Sequence, residues 1–152
     1  MKIADILIRE RVIAELKSTG KQEVIQEMTA VLPSEVMDLD RVVQVLMERE
    51  RLGSTGIGEG VAIPHGKIPG LNSLIAAFGR SSKGVEFESL DGKPAHLFFL
   101  LVAPEDSAGA HLKALARISR LFKDGQFRKV LMGAKGVDEI YEAILEEDQK
   151  YG

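Results

Sequence analysis

The chain contains no cysteine. That excludes disulfides, thiolate metal sites and a cysteine nucleophile of its own. It also lacks an excess of either charge: 20 Lys and Arg stand against 23 Asp and Glu, for a net charge of −3. Nothing in that total favours nucleic acid or an anionic membrane surface as a partner. No apolar run approaches the length of a membrane span. The N-terminus, MKIADILIRERV, mixes charges into its apolar residues and has no signal-peptide core, so a cytoplasmic location is expected. There is no aromatic stripe, no basic patch, no H-E-x-x-H, no internal repeat and no low-complexity tract.

What is present is an ordinary globular balance. The 152 residues are 45% hydrophobic and 28% charged, enough for one domain with a real core, and no linker interrupts residues 1–152. A short strand is expected at Val12–Leu16, closed by Ser-Thr-Gly. KQEVIQEMTAVL has helical spacing and ends at Pro33. A second helix is expected from Asp40 as N-cap, through Val42, Val45 and Leu46, to near Gly53. Short strands at Val61–Ile63 and 74–81 and a turn at Asp91-Gly92 follow. The run HLFFLLVA (96–103) reads as a central strand buried on both faces. Three helical segments then lie in 107–122, 125–134 and 137–148, the last fraying into a solvated tail, ILEEDQKYG. Strands interleaved with helices give an α/β sandwich of helices around a mixed sheet.

The stretch GSTGIGEGVAIPHGK (53–67) is the most unusual. GIGEGV is not G-x-G-x-x-G, and HGKI is not a Walker A ending, because isoleucine stands where Ser or Thr would bind magnesium. Gly56, Gly58 and Gly60 permit close backbone approach and an anion-binding nest; a plain loop between helix and strand is the alternative. His65 leaves a strand end after Pro64, which fixes its own φ and keeps Ile63 extended. A histidine so mounted can be held in one tautomer.

Two other elements support it. His111 shares a helical face with Leu115, Ile118 and Phe122, so it points inward from the first turn of its helix. A helix N-terminus favours a neutral imidazole and attracts anions. Arg49, near the end of the second helix, precedes the glycine stretch and can fold back beside His65. A guanidinium ~4 Å from an anion gains about 4 kcal/mol per unit charge at an effective dielectric of ~20, before desolvation, and its planar fork suits phosphate. Glu59 either orients one of these groups or is solvated. His96 is read as structural or surface.

RERLGSTGIGEGVAIPHGK, followed by AHLKALARISRLF, resembles enzyme IIA of the phosphoenolpyruvate-dependent sugar phosphotransferase system, in its fructose/mannitol/nitrogen class and nearest in wording to the nitrogen-regulatory type. The resemblance implies a phosphoryl carrier. His65 would accept the group through Nε2 from a small histidine phosphocarrier protein. His111 would contact the phosphoryl group or His65, Arg49 would stabilise transferring charge, and Gly56, Gly58 and Gly60 would line the phosphate. Glu59 matches a glutamate of mannitol-type proteins. No cofactor and no metal are implied. The recipient would be a IIB domain or, for the nitrogen type, a regulatory or transport protein. Absence of a IIB or IIC segment tilts the reading to the nitrogen type.

The shallow site such a carrier needs suggests Ile57, Ile68 and Leu71 as parts of a docking patch. Two rival readings remain: a metal hydrolase using His65, His111, His96 and Glu59, which suit zinc by residue type though not by spacing, and a regulatory module that binds partners whatever its phosphorylation state.

Overall fold

The structure, a computed structural model, describes residues 1–151. Short 3-10 turns at Ile3–Asp5 and Arg9–Arg11 lead into β1 (Val12–Ile13). Then come α1 (Lys21–Thr29), α2 (Leu39–Arg51), β2 (Gly56–Gly58), β3 (Val61–Ala62) and β4 (His65–Ile68). The chain continues through β5 (Ile75–Val85), β6 (Ala95–Pro104), α3 (Ala108–Lys123), α4 (Gly125–Gly133) and α5 (Val137–Gln149). The strands form one mixed sheet in the order β1-β5-β6-β3-β2, with β4 also paired to β6. β5 runs antiparallel to β6, whereas β3 and β4 run parallel to it. This is the α/β sandwich expected from the sequence.

The continuous apolar run of β6 has a simple cause: both faces are covered. Leu97, Phe99 and Leu101 pack with Ile118, Phe122 and Ile140 of the α3–α5 layer. Phe98, Leu100 and Val102 pack with Val24, Ile25, Met28 and Leu46 of the α1–α2 layer. The strand period of two divides the residues between the layers. Each such side chain contributes about 1.5–3 kcal/mol by leaving water, so β6 ties the two layers together.

Several boundaries differ from expectation. β1 stops at Ile13 because the buried guanidinium of Arg80 takes the Ala14 carbonyl at 2.9 Å. The N-cap of α2 is Asp38 rather than Asp40: its carboxylate accepts from the amides of Asp40 and Arg41. Leu39 packs on the core and so belongs inside the helix. The C-terminal tail is not a solvated fray. Asp148 is buried, accepting from the amide of Ile3 at 2.7 Å and from Arg117 Nε at 2.6 Å, which ties both ends of the chain together. Gly152 lies outside the described residues.

The detail that places the site is the passage from β3 to β4. Ala62 lies opposite Phe98 and His65 opposite Leu101, so register on β6 is kept across Ile63-Pro64. Pro64 has no N–H to give, but its carbonyl accepts from Leu101 N–H at 2.9 Å. Strand alternation therefore sends Val61, Ile63 and His65 toward the α3 layer and Gly66 and Ile68 toward α2, in agreement with Val61 and Ile63 in one core and Ile68 in the other.

Candidate active site

His65 is half-buried on β4, which among the described residues pairs only with β6. The open side of β4 lets groups from both helical layers reach its ring. Nδ1 of His65 lies 2.8 Å from the Ile63 carbonyl oxygen. A carbonyl can only accept, so Nδ1 carries the proton and Nε2 of the neutral ring keeps its lone pair. Burial pushes the His65 pKa down; the Ile63 carbonyl opposes this, Arg49 adds to it, and the nearby Glu50 carboxylate pulls the other way.

His111 stands in the first turn of α3, as its periodicity predicts, and is 7% exposed. The two imidazoles meet edge to face, ring centroids 5.5 Å apart. Nε2 of His111 is buried without a hydrogen-bond partner among the described residues. Burial also lowers the His111 pKa, helped by the proximity of His65 and of Lys67. Lys67 shares the β4 face of His65, two residues on. Arg49 reaches the site from the end of α2, where Nη1 donates to the Gly53 carbonyl at 2.8 Å. The structure thus brings His65, His111 and Arg49 together from a strand edge and two helix ends.

It does not bring Glu59 and the glycines to them. Gly56–Gly58 and Val61–Ala62 are the arms of a hairpin. Glu59 and Gly60 form its turn, both at positive φ, as a two-residue type I′ connection requires. Val61 sits opposite Leu97 and His65 opposite Leu101, which puts the base of the hairpin turn about 13 Å from His65 along the strand at ~3.3 Å per residue, and the tip beyond that. The Glu59 carboxylate is exposed and lies 3.5 Å from Arg128, and its amide donates to Asp91. Gly56 is small for a packing reason: a Cβ there would fall 2.3 Å from Ser89 Oγ. Gly58 and Gly60 face Asp91 and His96. Local spacing suggested a phosphate cradle; strand pairing turned those amides into a hairpin instead. Of the expected docking residues, Ile57 is exposed but Ile68 and Leu71 are buried core.

His96 donates through Nδ1 to the Ser81 carbonyl, 2.8 Å away, a structural contact within the sheet. Among the described residues no three His, Asp or Glu side chains gather in a group able to hold a metal, so the four residues of the hydrolase reading do not converge.

One residue at the site escaped the sequence reading. Glu50 is 7% exposed and is bonded by Lys21 Nζ at 3.0 Å, by the Thr55 amide and by the Thr55 hydroxyl. The signal was present: Val42, Leu46 and Glu50 recur every four residues, placing a carboxylate on the apolar stripe of α2.

The chain matches the family described as "Phosphoenolpyruvate-dependent sugar phosphotransferase system, EIIA 2" over residues 5–147. It belongs to that family. A nitrogen regulatory protein of Bradyrhizobium diazoefficiens is 41% identical over 145 residues, covering 95% of each chain. The fructose-specific EIIABC component of Bacillus subtilis is 40% identical over 151 residues, 98% of this chain but 24% of that longer protein. The crystal structure of the nitrogen regulatory protein IIA-Ntr from Neisseria meningitidis superposes with a TM-score of 0.88 at 34% identity, covering 93% of this chain and 98% of that one. This enzyme IIA domain is thus a phosphotransferase-system component similar to nitrogen regulatory proteins, with sugar-type relatives also near. No helix among its described residues is long and apolar enough to cross a membrane.

Proposed function

We propose that this protein carries a phosphoryl group on Nε2 of His65, received in the cytoplasm from the phosphohistidine of a small histidine phosphocarrier protein. The observation that carries this reading is the 2.8 Å contact of Nδ1 with the Ile63 carbonyl, which leaves Nε2 as the free nucleophile. In the transfer, the P–N bond of the donor breaks as the P–Nε2 bond forms. The donor imidazole leaves with the electron pair, and the proton of His65 stays on Nδ1, hydrogen-bonded to the Ile63 carbonyl. Phosphoryl transfer asks little covalent work of the protein, so positioning and charge do most of it. Arg49 meets the dianion with a planar fork, and His111, whose Nε2 has no other partner among the described residues, turns toward a phosphoryl oxygen. The N-terminal amides of α3 add a favourable dipole.

A donor that is another protein's side chain needs an open, partly apolar approach. Leu52, 85% exposed, precedes the Gly53 that anchors Arg49, and Leu112, 67% exposed, follows His111. These two replace Ile68 and Leu71 as the docking rim. The kinship with nitrogen regulatory proteins favours an output in which the phosphorylation state is the signal to regulatory or transport partners. The kinship with a fructose-specific component supports a second reading, in which a IIB domain takes the group onward to a sugar.

The test is incubation with phosphoenolpyruvate, enzyme I and a histidine phosphocarrier, read by intact mass beside His65→Ala. One acid-labile phosphoryl group, absent from the variant, is expected. Phosphorylation of the variant would sink the assignment of His65. Adding a fructose- or mannitol-type IIB domain then separates the two outputs: loss of the group to IIB favours the sugar reading, retention the regulatory one.

A further inference from the structure

Glu50 takes no part in the chemistry above, yet its carboxylate is almost wholly enclosed, with a side chain 3% exposed. A buried carboxylate is strongly unfavourable unless paired and hydrogen-bonded. Its partners are Lys21 from α1 and both the amide and hydroxyl of Thr55. Glu50 is held by these groups and holds Thr55 in return.

From Thr55 the contacts run directly to the nucleophile. The Thr55 carbonyl accepts from the Ile63 amide at 3.0 Å. The Ile63 carbonyl accepts from Nδ1 of His65 at 2.8 Å. Two residues before Thr55, the Gly53 carbonyl receives Nη1 of Arg49 at 2.8 Å. A single short segment, 53–55, therefore supports the anchor of the arginine on one side and the anchor of the histidine on the other. A neutral imidazole left to itself in water prefers its proton on Nε2, the wrong tautomer for attack through that nitrogen. The Ile63 carbonyl must be held in place to reverse that preference.

We propose that Glu50 is the positioning residue of the site. Through Thr55 and Ile63 it keeps His65 in the Nδ1–H tautomer, and through Gly53 it aims Arg49. The role rests on His65 as acceptor, but its tautomer half is measured without any phosphoryl transfer.

The experiment compares wild type with Glu50→Met, Glu50→Gln and Glu50→Asp by long-range ¹⁵N correlation of the imidazoles at pH ~7.5, above the ordinary histidine pKa of about 6.5. Single-turnover phosphorylation by the phosphocarrier is measured on the same proteins. Wild type should show His65 in the Nδ1–H form. Glu50→Met, which fits the apolar stripe but accepts nothing, should give a mixture of tautomers and slow phosphorylation about tenfold or more. Glu50→Gln keeps an acceptor for the Thr55 amide and should restore the tautomer and most of the rate. If Glu50→Met does not fold, Glu50→Asp decides: drawing the carboxylate back by one methylene should shift the Thr55 amide and admit some of the wrong tautomer. A lower melting temperature with His65 tautomer and rate unchanged would overturn the proposal and leave Glu50 a purely structural residue. If wild type cannot be phosphorylated at all, the carrier reading falls, and the tautomer comparison still answers for Glu50.

Discussion

The rings of His65 and His111 stand 5.5 Å apart with their planes at 73°; no hydrogen bond joins the two rings, and they are close enough to share one small anion. His111 Nε2 is buried without a partner among the described residues, a state that costs about 1–3 kcal/mol in a resting protein. That cost is understandable if the partner is the phosphoryl group itself. Replacing His111 by methionine should then do two opposite things. Transfer to His65 should fall on the order of 10²-fold, as when one preorganised donor is removed. Thermal stability should rise, by about 2–4 °C per kcal/mol recovered. Single-turnover kinetics and a melting curve on one preparation check both; a variant that loses stability as well would mean that His111 has a structural partner.

Acid should weaken the fold through the same pair. Both imidazoles have pKa values lowered from 6.5, chiefly by burial. Above pH 6.5 they are neutral in folded and unfolded chains alike, and neither contributes a pH slope. As pH falls below 6.5 the unfolded chain binds protons first, so stability declines until the folded-state pKa values are passed. Urea denaturation across that window should show the decline in wild type and a flatter profile in a His65→Gln, His111→Gln double variant. An equal slope in both would assign the acid sensitivity to carboxylates.

Arg49 lowers the His65 pKa by its charge and is held by the Gly53 carbonyl. These two facts separate field from fork. Arg49→Gln should raise the His65 pKa and slow transfer about 10²–10³-fold, the scale for losing one electrostatic stabiliser. Arg49→Lys should keep the pKa low, because the charge remains, yet recover only part of the rate, because an ammonium lacks the planar pair of donors. NMR titration of His65 beside the kinetics distinguishes them; full recovery by lysine would reduce Arg49 to a point charge.

How much of this was legible in the sequence depended on range. His111 could be placed on its helical face because Leu115, Ile118 and Phe122 lie within the same helix. β6 was legible because its two-sided burial is written into the run itself. β5 was read short, at 74–81, because Ser82-Lys83-Gly84 has the composition of a turn, although the strand continues through a register shift to Val85. The glycine stretch was misread for a deeper reason. Its glycines answer to Ser89, Asp91 and His96, residues more than thirty positions away, brought near by sheet pairing that no local pattern encodes. Glu50 was visible on its helix face, but its partners Lys21 and Thr55 come from α1 and the next loop, so its purpose was not.

Glu59 therefore makes a prediction of inactivity. It sits at a hairpin tip, 3.5 Å from Arg128 and beyond Val61, which is itself about 13 Å along the sheet from His65, counting ~3.3 Å per residue. An exposed ion pair of this kind is worth little. Glu59→Gln should phosphorylate within about twofold of wild type and melt at nearly the same temperature. A large loss of rate with folding intact would show that the hairpin closes on the donor protein, and would restore Glu59 to the site.

The spacing between α2 and β4 gives the sharpest mechanical test. Gly66 follows His65 and faces α2, where a Cβ would meet Val45 Cγ1 at 2.8 Å and Leu46 Cδ2 at 3.5 Å. Contact that close forces a shift. Gly66→Ala should lose about 1–3 kcal/mol, the usual range for overpacking, and the shift acts where it matters: Val45 lies one helical turn before Arg49, and Gly66 adjoins His65. Transfer should slow together with the loss of stability. Val45→Ala removes the clashing methyl group, so the double variant should regain both, a strong departure from additivity of the kind expected for residues in contact. A double-mutant cycle on urea midpoints and single-turnover rates measures it. Stability rescued without rate would mean that the distance between helix and strand supports the fold but does not set the geometry of transfer.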